Sequence, residues 1–150
     1  MADIVPADVR SRMMRGIRGA DTKPELLIRK GLHANGFRYR LHVRSLPGSP
    51  DIVLPRFRAA IFVHGCFWHG HDCHLFRWPS THENFWREKI GRNRIVDTLA
   101  GVALSEAGWR CGIIWECALK GRTRLQLETV IRHCADWLRG DEDILEMKGI

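Results

Sequence analysis

The chain has 150 residues, 45% hydrophobic and 27% charged, a composition that fits one globular domain with a single core. No run of 18 or more apolar residues is present, and Met1-Ala2-Asp3-Ile4-Val5-Pro6 lacks a basic-then-apolar leader, so neither a membrane span nor a secretory signal is expected and the location expected is cytoplasmic. A net charge of +7 points to a polyanionic partner, and five Cys without a secretion signal point to thiols or metal rather than a disulfide framework.

The basic surplus is uneven. Residues 1–49 carry ten basic and four acidic side chains, and Arg10 to Arg18 holds four arginines in nine residues. Gly16 and Gly19 weaken this stretch as a free helix, so residues 1–22 read as a DNA-binding arm that orders against phosphates, with Met13 and Met14 as apolar tips. Taken alone, the same residues fit a solvated, frayed terminus equally well.

Lys23 to Asn35 reads as a helix, with Pro24 in its first turn and Gly36 just past its end. Phe37 to Val43 is expected to be extended, and Leu46-Pro47-Gly48-Ser49-Pro50 is turn chemistry that delivers Asp51 onto a strand, Ile52 to Leu54. A second strand, Ala59 to His64, completes a hairpin. Gly65 to Pro79 has no periodicity and reads as a loop. Ser80-Thr81-His82-Glu83 fits a capping box for a helix running to about Glu106. Trp109 to Trp115 is a third strand, and a last helix, Thr123 to Leu138, closes a domain of residues 23–140 before an acidic tail, 141–150. This order predicts an α/β fold with a mixed central sheet flanked by helices.

The loop that begins at the end of the second strand is dense in metal-binding chemistry. His64 to His74 places two Cys and four His in eleven residues. Thiolate with imidazole is the usual donor set of structural zinc. Cys66, His71 and Cys73 can wrap one ion, although spacing alone leaves His69 and His74 as alternatives to His71. Cys117, just after the third strand, is the best fourth ligand and would staple loop to sheet. Cys111 and Cys134 sit among apolar residues and read as small buried hydrophobes.

Pro50-Asp51 at the head of a strand, followed by an apolar strand, resembles the start of the Pro-Asp…(Asp/Glu)-x-Lys nuclease motif. The second half is absent, since Phe62-Val63-His64 stands where an acidic residue and Lys would lie. With one carboxylate, a hard Mg²⁺ ion would take further oxygens from backbone, phosphate and water. His64 and His69 are then available to accept a proton in place of the lysine.

Phe67 and Trp68, in a polar loop, read as wedges that unstack DNA, to which a mismatched pair yields most cheaply. Trp86, Lys89 and Asn93 share one helical stripe, an aromatic beside two groups able to address base edges. For Trp86 alone, core packing is the better reading. Leu99, Val102 and Ala103 are expected to mark the core-facing side of that helix, and Trp109, Trp115 and Trp137 to lie in the core. No apolar stripe is left over, which leads to the expectation of a monomer.

Four blocks together, Leu46-Pro47-Gly48-Ser49-Pro50-Asp51, Phe62-Val63-His64-Gly65-Cys66-Phe67-Trp68-His69, Phe85-Trp86-Arg87-Glu88-Lys89-Ile90 and Trp115-Glu116-Cys117-Ala118-Leu119, closely resemble the very-short-patch-repair (Vsr) endonucleases. The resemblance spans about Arg10 to Trp137. It implies a restriction-endonuclease-like fold and a Mg²⁺-dependent nick 5′ to the thymine of a T·G mismatch left by deamination of 5-methylcytosine. It also implies Asp51 and the main-chain carbonyl of Val63 as Mg²⁺ ligands, His69 as general base oriented by Asp97, and His64 and Glu25 in support. Cys66, His71, Cys73 and Cys117 match the zinc ligands. Phe67, Trp68 and Trp86 match intercalating aromatics, Lys89 and Asn93 the mismatch readers, and Met14 a residue inserted from the other groove. Double-stranded DNA and, by the same resemblance, mismatch-repair proteins are the expected partners. Two positions depart from the family pattern: Val63 where Thr is frequent, and Gly70 where a further His is common. Two other functions compete with this one: a zinc-stapled module that binds distorted DNA without cutting, and a restriction or homing nuclease that cuts matched sites.

Overall fold

In the computed structural model, which describes residues 21–150, the first helix (α1, Lys23–Ala34) begins on a reciprocal cap. The Thr22 hydroxyl accepts from the Glu25 N–H and the Glu25 carboxylate accepts from the Thr22 N–H, each at 3.4 Å. Asn35 and Gly36 end the helix where the sequence predicts, the glycine at φ +89°. Most of the arm, Met14 included, lies outside the described residues.

The extended segment expected over 37–43 shrinks to the short strand β1 (Arg40–Leu41). β2 (Ile52–Leu54), β3 (Ala59–His64) and β4 (Arg110–Trp115) fall on the apolar runs. With β5 (Ile144–Met147) they form one sheet in sequence order, antiparallel from β1 to β3 and parallel from β3 to β5. The crossovers carry α2 (Glu83–Glu106) and α3 (Leu127–Arg139). Ile61 and Ile114 pack with Ile28 and Leu32 of α1 and with Val130, Cys134 and Leu138 of α3. On the opposite face, Ala60 and Phe62 meet Ala100 and Leu104 of α2. Both faces of β3 are therefore covered, which is why it reads as an unbroken apolar run. This is the α/β arrangement expected, a mixed central sheet flanked by helices.

Gly48 brings the turn before β2 against α2. It holds φ +76°, and a Cβ there would lie 2.7 Å from the Ala100 Cβ and 3.0 Å from the Phe62 ring. Any larger residue would push that turn, and Asp51 after it, away from the sheet.

Four expectations need correction. The long helix lacks the predicted capping box: His82 occupies the N-cap at φ +54° with no side-chain cap, and Arg87 pairs with Glu83 at 2.8 Å instead. The last helix starts at Leu127 rather than Thr123. Thr123 is held 3.3 Å from the Cys117 carbonyl, and the Leu125 N–H donates to Ala118 at 2.8 Å, so both residues belong to a turn. The acidic tail is not detached, because residues 144–147 are an edge strand on β4 with Met147 buried and Glu146 accepting from the Trp115 indole at 3.1 Å. Finally, Leu99 and Val102 point outward, 63% and 51% exposed, and Ala103 is only half-buried. Contact with the sheet runs instead through Ala100 and Leu104, whose phase turns Leu99 and Val102 away. The ground for expecting a monomer is thereby removed.

Trp115 and Trp137 are buried as expected, and Trp109 is half-buried beneath the Arg58 guanidinium at 4.6 Å. Cys134 is fully buried, while Cys111 is half-buried. A chain ended at Gly140 would strip the edge of β4 and remove the buried Met147. It is expected to lose about 2–5 kcal/mol of stability in urea unfolding, and an unchanged midpoint would show the tail to be dispensable.

Candidate active site and metal centre

β3 and β4 run parallel, so the loops that leave their carboxyl ends emerge side by side, where open α/β sheets carry their sites. The loop after β3 supplies Cys66, His71 and Cys73, and the 3-10 turn after β4 supplies Cys117. Their ligand atoms all lie within 4.8 Å of one another. His71 Nδ1 stands 3.5 Å from Cys66 Sγ and 3.6 Å from Cys117 Sγ. A tetrahedral ion with sulfur at ~2.3 Å and nitrogen at ~2.0 Å separates those atoms by roughly 3.5 Å, so the four donors fit one metal ion.

The surroundings favour the same conclusion. Burial pushes the Cys66 thiol up, against the lowering effect of the Cys117 N–H and with the Cys73 and Cys117 thiols adding to the rise, so the thiolate form calls for a cation. Burial also lowers the His71 pKa, which favours the neutral imidazole that coordinates metal. The Cys117 N–H donates to Cys66 Sγ and the Gly149 N–H to Cys117 Sγ, each at 3.3 Å, as expected around metal-bound sulfur. The His71 ring stacks on Trp115 at 4.1 Å. The ambiguity among histidines is resolved by geometry, because His69 is engaged with Asp97 and His74 faces Thr123 at 3.4 Å.

Beside this cluster lies the carboxylate and histidine group. Asp51 Oδ2 accepts from the Val63 N–H at 2.8 Å, which joins the start of β2 to the end of β3. Burial pushes the Asp51 carboxyl up to about 6, and nearby Glu25 raises it further, against the lowering effects of the Val63 hydrogen bond, His42 and His69. A carboxyl so placed gains from a cation, and with the Val63 backbone it offers the hard oxygen donors that a divalent ion takes.

His69 Nδ1 lies 2.5 Å from Asp97 Oδ2, on α2. That contact fixes the ring, and His69 lines an open groove with Gly70, Arg94, Asp97 and Trp115. His64 stacks flat on His69 at 3.8 Å. Its burial lowers its pKa to about 4, with the His69 charge acting in the same direction, so it stays neutral. Gly70, at φ +61°, makes room for Arg94: a Cβ would fall 2.5 Å from its Nε, and the guanidinium donates to the Gly70 carbonyl.

Glu25 and His42 complete the group. Glu25 is 2% exposed, and beyond its capping role it is gripped by His42 Nε2. The His42 N–H donates to the Asp51 carbonyl at 3.0 Å, so one residue touches both acids. Sequence reasoning missed His42, which lies in no motif. Thr22-x-x-Glu25 is a readable capping signature and could have fixed the place of Glu25.

Phe67, Trp68 and Trp86 form one aromatic cluster, with centroids 5.3–5.6 Å apart. Trp86, only 6% exposed, backs the other two from α2. Asn93 donates to the Trp68 carbonyl at 2.8 Å, and Lys89, one turn earlier, is half-buried. Trp78, undecided from sequence, packs between Phe76 and the Arg87 guanidinium.

Comparison with known proteins agrees with this geometry. The family described as DNA mismatch endonuclease Vsr matches residues 2–75. The DNA mismatch endonuclease Vsr of Escherichia coli K12 is 43% identical over 141 residues, 94% of this chain and 90% of that protein. The chain belongs to the Vsr family. Relatives named Type II nicking enzymes include V.XorIIP of Xanthomonas oryzae, 43% identical over 79% of this chain and 88% of its own length. V.NmeAIP of Neisseria meningitidis is 39% identical over 91% of this chain and 99% of its own length.

Within this Vsr family member, Cys73→Ser is expected to lose most of its bound metal and to melt at lower temperature. Elemental analysis beside a thermal melt checks this, and wild-type metal content in the variant would overturn the ligand assignment.

Proposed function

We propose that this protein is a Mg²⁺-dependent DNA mismatch endonuclease, stapled by zinc, that nicks one strand 5′ to the thymine of a T·G pair. The observation that carries the reading is the His69–Asp97 pair set beside Asp51, close enough for His69 to act on the Asp51 carboxyl. A module that only binds DNA needs no such group. Relatives named nicking enzymes favour a single-strand cut over double-strand cleavage at matched sites.

Asp51 and the Val63 carbonyl would hold Mg²⁺, which supplies a Lewis acid against the charge of the scissile phosphate. Cys66, His71, Cys73 and Cys117 would hold Zn²⁺, whose part is structural. With Nδ1 engaged by Asp97, His69 accepts through Nε2 the proton of the water that attacks phosphorus. Asp97 then stabilises the imidazolium. His64, neutral and stacked, holds the plane of that ring. Glu25 supports Asp51, and His42 holds Glu25 in place.

Phe67 and Trp68 are the wedge at the mismatch, and Trp86 takes its share in the intercalating group from beneath them. Lys89 and Asn93 address the exposed base edges, with Asn93 Oδ1 still free after its donor bond to Trp68. The basic arm, Met14 included, adds salt-sensitive affinity for any duplex, and mismatch-repair proteins are further candidate partners. Work on DNA agrees with the cytoplasmic location expected. Among the described residues, no helix is long and apolar enough to cross a membrane.

Purified protein with Mg²⁺ is expected to nick a duplex bearing one T·G pair and to spare its T·A control. Equal cutting of both would sink the mismatch reading. Asp51→Ala and His69→Ala are each expected to lower nicking by at least about a thousandfold while mismatch binding persists in a gel-shift assay; loss of binding as well would make those residues structural. His42→Ala should cost about ten- to a hundredfold, with His42→Gln, which keeps a donor at similar reach, recovering most of it. Failure of the Gln variant to recover would remove His42 from the positioning of Glu25.

A further inference from the structure

Gly70 joins His69, the proposed base, to His71 of the cysteine and histidine cluster, and it lies directly against α2. It holds φ +61°, and a Cβ there would fall 2.5 Å from Arg94 Nε and 2.7 Å from Ile90 Cγ2. Ile90 is fully buried, so the turn comes this close to the helix only because residue 70 has no side chain. The Arg94 guanidinium occupies the space and donates to the Gly70 carbonyl.

The peptide groups on either side of His69 are each held twice. Between Trp68 and His69, the N–H donates to the Gly65 carbonyl at 3.2 Å and the C=O accepts from the Asn93 amide at 2.8 Å. Between Gly70 and His71, the N–H donates to the Cys66 carbonyl at 2.9 Å and the C=O accepts from Arg94. In each pair one bond lies within the turn and the other comes from α2. Asp97, three residues after Arg94 on the same helix, holds the ring at Nδ1. Among the described residues Arg94 forms no ion pair, so the Gly70 carbonyl is what fixes its guanidinium there.

We infer that Arg94 is a positioning residue for the proposed nicking reaction: it locks the peptide that follows His69 and so sets the place from which that imidazole acts. The inference rests on the reading of His69 as the base. A cationic donor suits the task, because its bond to a carbonyl is stronger than one from a neutral group. The competing role for Arg94 is direct contact with a DNA phosphate. That role acts on duplex binding, whereas a lock on His69 acts on the rate of the cut.

Single-turnover nicking of a duplex with one T·G pair, with Mg²⁺ and the full chain, tests the inference. Arg94→Ala is expected to slow the cut about ten- to a hundredfold, with duplex affinity in a gel shift and bound metal unchanged. Arg94→Lys, which keeps a donor at similar reach, should recover most of the rate. Gly70→Ala, whose Cβ displaces the guanidinium, should also slow the cut, and the double variant should be no slower than the slower single. Independently of cleavage, amide exchange at His69, Gly70 and His71 should quicken about tenfold in Arg94→Ala.

Weaker duplex binding with an unchanged rate of cutting would make Arg94 a phosphate contact and overturn the inference. Additive losses in the double variant, or exchange at these three amides that does not change, would do the same. Wild-type protein that nicks no duplex would instead sink the reading of function, and the exchange measurement would still decide whether Arg94 locks the turn.

Discussion

The parallel pairing of β3 with β4 is the constraint on which the rest depends. Six successive residue pairs, from Ala59 with Arg110 to His64 with Trp115, bring the two strands to an end at the same level. Everything chemical then leaves from that edge. The loop after β3 has no regular hydrogen-bond ladder, and its large apolar side chains, Phe67, Trp68, Leu75, Phe76 and Trp78, are only half-buried, so packing alone is a weak hold on its shape. Three of its side chains and Cys117 converge within ligand reach, which ties the loop to the strand beside it. The tie fixes more than itself, because His69 lies between Cys66 and His71 and inherits its position from them. The Cys66, His71, Cys73 and Cys117 cluster and the His69–Asp97 pair are thus one mechanical unit.

α2 is the second support of that unit. Its inner side sets Asp97 against His69, Arg94 against Gly70 and Asn93 against the Trp68 carbonyl, so one helix face addresses the loop at three successive points. Small residues at the contact with the sheet, Ala60 and Ala100, let the helix come close enough for those bonds to form. Gly48 relies on the same closeness from the opposite direction. Replacing any of these small residues with a larger one would separate helix from sheet and move Asp97, the partner of His69, with it.

Legibility followed physical locality. The strands and α1 were readable because apolar runs and end signals report burial within a few residues of themselves. The cluster able to hold a metal was readable because thiols and imidazoles crowded into a loop have few other uses, yet spacing could not choose among His69, His71 and His74, since that choice belongs to the fold. The phase of α2 misled for the same reason. Leu99 and Val102 are bulkier than Ala100, and bulk suggests a core, but the sheet offers Phe62 at that point and leaves room only for a methyl group. β5 was hidden by its acidic neighbours, because an edge strand needs one buried residue, Met147, and tolerates charge elsewhere. His42 had no signal at all: its importance comes from a left-handed backbone at φ +47° and from two acids distant in sequence.

Glu25 shows how tightly the fold and the site are joined. The residue that caps α1 by accepting from Thr22 is the one that raises the Asp51 carboxyl and binds His42. A helix cap is a local device, normally worth about 1 kcal/mol and replaceable by several residue types. Here the cap cannot be exchanged freely, because its carboxylate is also part of the polar group around Asp51. Thr22 is in turn the point at which the basic N-terminal stretch joins the helix. The Thr22 N–H, four residues after Arg18 in the sequence, donates to the Glu25 carboxylate, so one hydrogen bond joins the cap of α1 to the polar group around Asp51.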